Sequence, residues 1–342
     1  MTQQSKTRRW VNRPPGSNWG EFGEDDQIGR LNLLTPQKVQ QGVAEVKAGK
    51  VFCLSLPLDY PGGSALAPHR FPPQLRPTER RGESFFNYPF SRESHDYCDA
   101  GCDDAVLLCT QYSTQWDSLA HIGQMFDADG DGVAELVYYN GYRAGIEVRP
   151  PSERKDGEMA AIGIENMAAT GVQGRGVMVD LENHFGRSRH YVGYDDLMRV
   201  MDRDGVVFEH GDVLCLHTGF SSMLLEMHRQ PDAETLHTAC AALDGTDQRL
   251  LQWITDSGVV AIAADNYAVE AIPSRKATGS RPFVPLHGHC LFKLGVHLGE
   301  MWHFAELNAW LKAHHRHRFL LTAPPLRLPG AVGSPVTPVA TV

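Results

Sequence analysis

The sequence predicts an α/β protein with a mixed β-sheet core and flanking helices. In the second half of the chain, short apolar runs typical of strands alternate with amphipathic patterns typical of helices. Strands are predicted at 176–181, 213–217, 259–264 and 318–321, and helices at 194–201, 246–256 and 298–314. Such alternation is typical of a mainly parallel or mixed sheet that helices cover.

The first half is rich in proline and glycine and predicts strands joined by long loops. Strand patterns occur at 51–58 and 105–110, and the polar stretch 62–93 between them contains five prolines. A loop of this length in a compact domain is usually functional, often a lid. An irregular arm is predicted over residues 1–18. We expect one catalytic domain over 19–342, because no repeat or linker interrupts that range.

Composition restricts the class of protein. The 342 residues are 42% hydrophobic and 21% charged, as in ordinary globular proteins. A net charge of −9 argues against nucleic acid as a partner, and no apolar run approaches the ~18 residues of a membrane span. Seven scattered cysteines predict reduced thiols in a cytoplasmic protein. The expected partner is a small-molecule substrate.

Polar residues follow the predicted strand 105–110 at spacings that suit a catalytic site. In an extended strand, Gln111, Gln115 and Asp117 point to one face. If a helix begins near Asp117, His121 lies one turn later on the same side. The four side chains would then converge. The alternatives are a helix N-cap at Asp117 and a hydrogen bond from His121 to a backbone carbonyl.

A second group of polar residues lies in the otherwise apolar segment 286–300. It contains His287, His289, His297 and Glu300. Imidazole and carboxylate groups suit Zn²⁺ or Mn²⁺, and a buried glutamate needs a cation partner. The alternative is a surface helix with Glu300 in water.

These segments carry a resemblance to a known family. The pattern His-x-Gly-Thr-His-x-Asp-x-Pro-x-His, placed on 111–121, matches at Thr114, Asp117 and His121. Four further segments resemble family motifs, namely 174–180, 211–219, 265–270 and 324–335. From about residue 19 to 340, the chain resembles the cyclase-type metal-dependent hydrolases, which include bacterial kynurenine formamidase and isatin hydrolase.

The resemblance implies a swivelling β/β/α fold and a hydrolytic metal site. Asp117 would be a metal ligand, His121 the proton donor and acceptor, and His287 with Glu300 the distal ligand pair, with His289 as a rival for His287. In the family, water activated by the metal attacks the carbonyl of an amide, cyclic amide or lactone. We also expect a homo-oligomer.

Both leading histidines of the family pattern are glutamine here. The paired change favours a branch of the family with the Ser/Thr-Gln-Trp-Asp form, in which Gln111 and Gln115 would be ligands of a divalent metal, Mn²⁺ or Zn²⁺. Amide oxygen is the weaker ligand for Zn²⁺ and is acceptable to Mn²⁺, Mg²⁺ or Ca²⁺. Alternatively, the glutamines contact substrate directly in a metal-free member, which binds a small ligand or acts as a lyase or isomerase.

Two further sets of residues are candidates for binding. Asp127, Asp129 and Asp131 resemble the start of a calcium loop; Tyr138 occupies the twelfth position, so Glu135 would supply a further carboxylate. The alternative is a plain Asx-turn loop. Three residues are candidates for the substrate pocket, namely Tyr60, Trp116 and His217; the alternatives are core packing for the aromatic residues and a turn for His217.

Overall fold

A nine-stranded mixed sheet forms the centre of the protein. The computed structural model describes residues 9–155, 158, 160–275 and 282–342. In chain order the strands of this sheet are Val51–Cys53 (β1), Gln115–Asp117 (β2), Gln173–Asp180 (β3), Val213–His217 (β4), Ala261–Ala264 (β5), His297–Glu300 (β6), Arg318–Thr322 (β7), Gly333–Pro335 (β8) and Val339–Thr341 (β9). Their order across the sheet is β1-β9-β7-β3-β4-β5-β6-β2-β8. The predicted mixed α/β architecture is confirmed.

The middle of the sheet is parallel and its edges are antiparallel. Strands β3, β4, β5 and β6 pair in parallel, whereas β2 pairs antiparallel with both β6 and β8. Strands β4 and β5 are buried at every position, as expected of short apolar runs covered on both faces. The strand predictions at 213–217 and 318–321 agree with β4 and β7 to within a residue.

Helices cover the sheet. Their bounds are Pro36–Val43 (α1), Ile164–Ala169 (α2), Leu181–Phe185 (α3), Tyr194–Asp204 (α4), Phe220–Glu226 (α5), Ala233–Thr238 (α6), Gln248–Ser257 (α7), Pro285–His287 (α8) and Ala305–Ala313 (α9), with a π-helical segment Gly288–Leu294 after α8. The limits of α7 follow from its sequence. Asp247 accepts the backbone N–H groups of Arg249 and Leu250, and Gly258 ends the helix at φ +69°.

The helix predicted at 298–314 is wrong in its first half. His297–Glu300 forms strand β6, which is buried between β5 and β2, and only Ala305–Ala313 is helical. Burial on both sides accounts for the error, because a short apolar run does not distinguish a strand from a helix by its periodicity. The strand predicted at 51–58 is also shorter, since only Val51–Cys53 pairs with β9.

Short ribbons and turns make up most of the first half. The two-stranded ribbons are Gln74–Pro77 with Asp104–Leu107, Glu79–Arg80 with Glu83–Ser84, Tyr88–Pro89 with Ala100–Gly101, Gln124–Phe126 with Glu135–Val137 and, later in the chain, His190–Val192 with Ala241–Leu243. The 3₁₀ turns are Gly29–Leu33, Phe90–Arg92, Tyr139–Gly141 and Pro151–Glu153. The predicted loop 62–93 therefore contains short strands.

The described part of the N-terminal arm packs against the domain. Trp10 is buried, with its ring 6.3 Å from that of Trp19, and the N–H groups of Val11 and Asn12 donate to Ala128 O. Residues 1–8 of the predicted arm lie outside the described residues. A single domain over 19–342 stays a prediction. Within the described ranges, every helix is too short or too polar to cross a membrane.

Candidate active site

Strand β2 places two polar side chains on one face of the sheet and a tryptophan on the other. Gln115 lies opposite Glu300 of β6, and Gln115 Nε2 donates to Glu300 Oε2 at 2.7 Å. Asp117 lies two residues on, so it shares the face of Gln115. Trp116 is fully buried on the other face, where its ring is 4.9 Å from that of Trp302 and its Nε1 donates to Ala323 O. A role for Trp116 in substrate binding stays a prediction.

Gln111 connects Asp117 to His121. Its Nε2 lies 2.6 Å from Asp117 Oδ1 and 2.8 Å from His121 Nδ1. Gly333 of β8 leaves room for it, because a Cβ there would lie 2.6 Å from Gln111 Cγ. No helix begins at Asp117 in this described segment; instead the His121 N–H donates to Ser118 O in a turn. The structure therefore brings the four predicted residues together, but through a turn.

His287 and Glu300 reach the same point from the other half of the chain. His287 Nε2 lies 3.2 Å from Glu300 Oε1 and 3.9 Å from Asp117 Oδ2. His289 points elsewhere, since its Nε2 lies 2.9 Å from Thr255 Oγ1. The structure thus favours His287 over His289 at this site.

Glu270 orients His287 and was not among the site residues predicted from the sequence. Glu270 Oε1 lies 2.6 Å from His287 Nδ1 and also accepts the His287 backbone N–H at 2.9 Å. Metal-binding histidines usually donate their second ring N–H to a carboxylate in this way. Glu270 lies in the segment 265–270 that carries the family resemblance, which was the only available signal.

Burial and the close packing of charged groups shift the pKa values of residues in the site. Burial and the charge of Asp117 raise the pKa of Glu300 to about 7, although His287 opposes the change. Burial acts against the charged form of His287, but hydrogen bonds with Glu270 and Glu300 outweigh it and raise the pKa of His287 to about 10. Burial lowers the pKa of His121, partly offset by Asp117. At neutral pH, His121 is therefore mainly neutral and His287 is protonated unless another cation displaces its proton.

The residues present fit a divalent cation. Ligand atoms of Asp117, His287 and Glu300 all lie within 4.8 Å of one another. Asp117 Oδ2 and Gln115 Oε1 are buried and have no hydrogen-bond partner among the described residues. Buried oxygen atoms without a partner are costly, and a cation between them would satisfy both.

The contact with Asp117 fixes the tautomer of neutral His121. Because a carboxylate oxygen accepts, the Gln111 atom beside Asp117 must be the amide nitrogen. The same nitrogen then donates to His121 Nδ1, so the ring proton lies on Nε2. In the absence of a ligand, His121 Nε2 lies 3.9 Å from Asp117 Oδ1. His121 can therefore donate this proton to a bound molecule.

The remaining candidates for substrate binding lie outside this cluster. His217 ends β4, where its Nδ1 lies 3.0 Å from Asp180 Oδ1 and 3.0 Å from Asn308 Nδ2. Tyr60 belongs to a buried apolar cluster that includes Met301, the neighbour of Glu300. A role in substrate binding stays a prediction for both residues.

The predicted calcium loop brings together a different set of carboxylates. Asp127, Asp129 and Glu135 place carboxylate oxygens within 4.8 Å of one another, whereas the Asp131 carboxylate accepts a backbone N–H two residues later. Arg143 lies 3.3 Å from Asp129 and 3.4 Å from Glu135, which neutralises part of the cluster. Calcium binding here stays a prediction, in which Glu135 is the further carboxylate expected from the sequence and Asp131 is not part of the cluster.

Comparisons with known proteins agree with the fold. The Cyclase family model matches residues 53–271. A solved crystal structure of a novel cyclase is 28% identical, with a TM-score of 0.74 over 97% of this chain and 100% of that chain. Isatin hydrolase A from Labrenzia aggregata, bound to benzyl benzoate, is 12% identical, with a TM-score of 0.55 over 89% of this chain and 98% of that chain. Isatin hydrolase A from Ralstonia solanacearum is also 12% identical, with a TM-score of 0.54 over 85% and 91%.

The two kinds of comparison support different conclusions. The isatin hydrolases share the fold, and no curated protein matches the chain. The family model spans well over half of the 342 residues, and it ends at Ala271, next to Glu270. The resemblance expected from the sequence is confirmed, and the chain belongs to the Cyclase family.

Proposed function

We propose that the chain is a metal-dependent hydrolase that opens or cleaves an amide, cyclic amide or lactone of a small substrate. The observation that carries the proposal is the cluster of Asp117, His287 and Glu300 beside His121. Membership of the Cyclase family and the fold shared with isatin hydrolases support it. Location in the cytoplasm and a homo-oligomeric state are part of the same proposal.

Asp117, His287, Glu300 and the amide oxygen of Gln115 would hold the cation. Oxygen donors outnumber the single imidazole, so the set favours Mn²⁺ over Zn²⁺. When bound, the metal acts as a Lewis acid that polarises the scissile carbonyl and makes water nucleophilic near neutral pH. Gln111 as a further ligand stays a prediction, because in this structure its amide nitrogen donates to Asp117 and His121.

The chain's own residues supply orientation and proton transfer. Glu270 holds His287 through Nδ1, which leaves Nε2 directed at the cluster. His121, neutral and protonated at Nε2, donates to the leaving nitrogen or oxygen of the substrate. The buried position of Asp117 and Glu300 excludes bulk water and strengthens these interactions.

One feature of the site favours a second candidate function. Gln111 donates to Asp117 and Gln115 donates to Glu300, so each carboxylate already has an amide partner. A metal-free member of the family with this network would bind a small ligand or act as a lyase or isomerase. Against this reading, two buried carboxylates of like charge remain close together, and a cation relieves their repulsion.

Chelation of the purified protein separates the two functions. The protein is assayed against a panel of small amides, cyclic amides, lactones and imides before and after removal of metal. We expect hydrolysis of at least one panel member, loss of that activity with chelator, and recovery with Mn²⁺, because the cation supplies the nucleophile. Hydrolysis that survives complete metal removal would contradict the metal-dependent mechanism.

A further inference from the structure

Arg70 places a guanidinium at the edge of the proposed active site. Its Nη1 donates to the backbone oxygen of Gln111 at 2.5 Å. The next residue, Phe71, lies with its N–H 3.5 Å from Cys109 Sγ. These contacts hold the two ends of the segment 71–109 together and fix Arg70 beside the residue that contacts both Asp117 and His121.

Arg70 has unused capacity for an anion. A guanidinium carries five N–H donors, and the contact with Gln111 uses one of them. In the described part of the chain, no carboxylate forms an ion pair with Arg70, and the neighbouring acids are engaged elsewhere. Asp117 accepts from Gln111, and Glu300 accepts from Gln115. Arg70 is half-buried, so it is shielded from bulk water but still accessible.

A chain of direct contacts connects Arg70 to the proposed proton donor. Arg70 donates to the backbone oxygen of Gln111, and the side chain of Gln111 lies with its Nε2 2.8 Å from His121 Nδ1. The guanidinium therefore lies close to the position that a substrate occupies when it contacts His121.

We propose that Arg70 binds a carboxylate of the substrate, so that the enzyme acts on small amides or lactones that carry a negative charge. Guanidinium and carboxylate groups pair through two parallel hydrogen bonds, which fix orientation as well as charge. The location of the pocket rests on the proposed function. Anchoring one end of the substrate at Arg70 would present its scissile bond to His121 and to the cluster of Asp117, His287 and Glu300.

A binding experiment tests Arg70 without any assay of hydrolysis. Benzoate and benzamide have similar shapes and differ in charge, so calorimetric titration of both reports recognition of the carboxylate. We expect wild type to bind benzoate more tightly than benzamide. Arg70→Gln should weaken benzoate binding about 10-fold or more and leave benzamide binding unchanged, as expected for loss of a charge-assisted pair. The affinity of Arg70→Lys for benzoate should lie between those of wild type and Arg70→Gln, because lysine keeps the charge but lacks the planar guanidinium.

The control is Arg76→Gln, because Arg76 is exposed on the ribbon strand Gln74–Pro77 and its only described hydrogen bond goes to Gln74. It should bind benzoate as wild type does. Equal affinity of wild type and Arg70→Gln for benzoate, or no preference of wild type for benzoate over benzamide, would overturn the proposal. If Arg70→Gln does not fold, comparison of wild type with Arg70→Lys tests for the same loss of benzoate affinity, at the smaller size expected of lysine. If the protein binds benzoate through Arg70 but hydrolyses none of the amides, lactones and imides in the panel, the proposed function is refuted and the role of Arg70 stands.

Discussion

Asp117→Asn should lower kcat about 10²–10³-fold or more while the protein stays folded, the scale seen when a central charged contact of an active site is lost. Asp117 is fully buried and accepts a hydrogen bond from Gln111, and its second oxygen has no hydrogen-bond partner among the described residues. Asparagine keeps the volume and can still accept from Gln111, so the fold survives. It removes the negative charge that a bound cation would need, 3.9 Å from His287 Nε2.

Steady-state kinetics and thermal unfolding of Asp117→Asn check this result. The matched control is Asp195→Asn, since Asp195 is exposed and pairs only with Arg249 on the surface. It should leave kcat unchanged. An Asp117→Asn enzyme with the turnover number of wild type would remove Asp117 from the mechanism. Loss of the cooperative unfolding transition would instead assign Asp117 to the fold.

His121→Ala should lower kcat about 10²–10⁴-fold with a small change in KM, the range typical of a general acid or base. Gln111 holds the proton of neutral His121 on Nε2, and burial lowers the pKa of the ring. Alanine removes this donor and leaves Gln111 with its hydrogen bond to Asp117.

The kinetic pattern of His121→Ala distinguishes proton transfer from binding. His95→Ala is the control, because His95 is exposed in the ribbon region and should not affect either constant. A rise in KM at unchanged kcat would make His121 a binding residue and not a proton donor.

The local part of the site was predictable from the sequence. Gln115 and Asp117 share a face because side chains alternate along a strand, and that rule needs no tertiary information. The same rule places Trp116 on the opposite face. The tendency of aromatic residues to line binding sites is the basis for Trp116 as a pocket residue, which stays a prediction.

The distant part of the site was not predictable from spacing. Glu270 contacts His287 across a sequence separation of 17 residues, and no local pattern encodes that approach. His287 is buried and His289 is half-buried, and the two differ in their partners, which only the packed structure reveals. Arg70 forms no ion pair among the described residues, and this is evident only from the structure, where the nearby carboxylates accept hydrogen bonds from other residues.

The central claim is that this site holds a divalent metal although glutamine replaces both leading histidines of the family pattern. Titration of metal-free wild type and of the Gln111→His/Gln115→His variant with Mn²⁺ and Zn²⁺ tests it most directly. We expect wild type to bind Mn²⁺ in preference to Zn²⁺, and the double variant to gain affinity for Zn²⁺ without a change in fold. Imidazole would replace amide oxygen at positions whose side chains already contact Asp117 and Glu300. Absence of metal binding in both proteins, with wild-type hydrolysis intact after chelation, would contradict the claim.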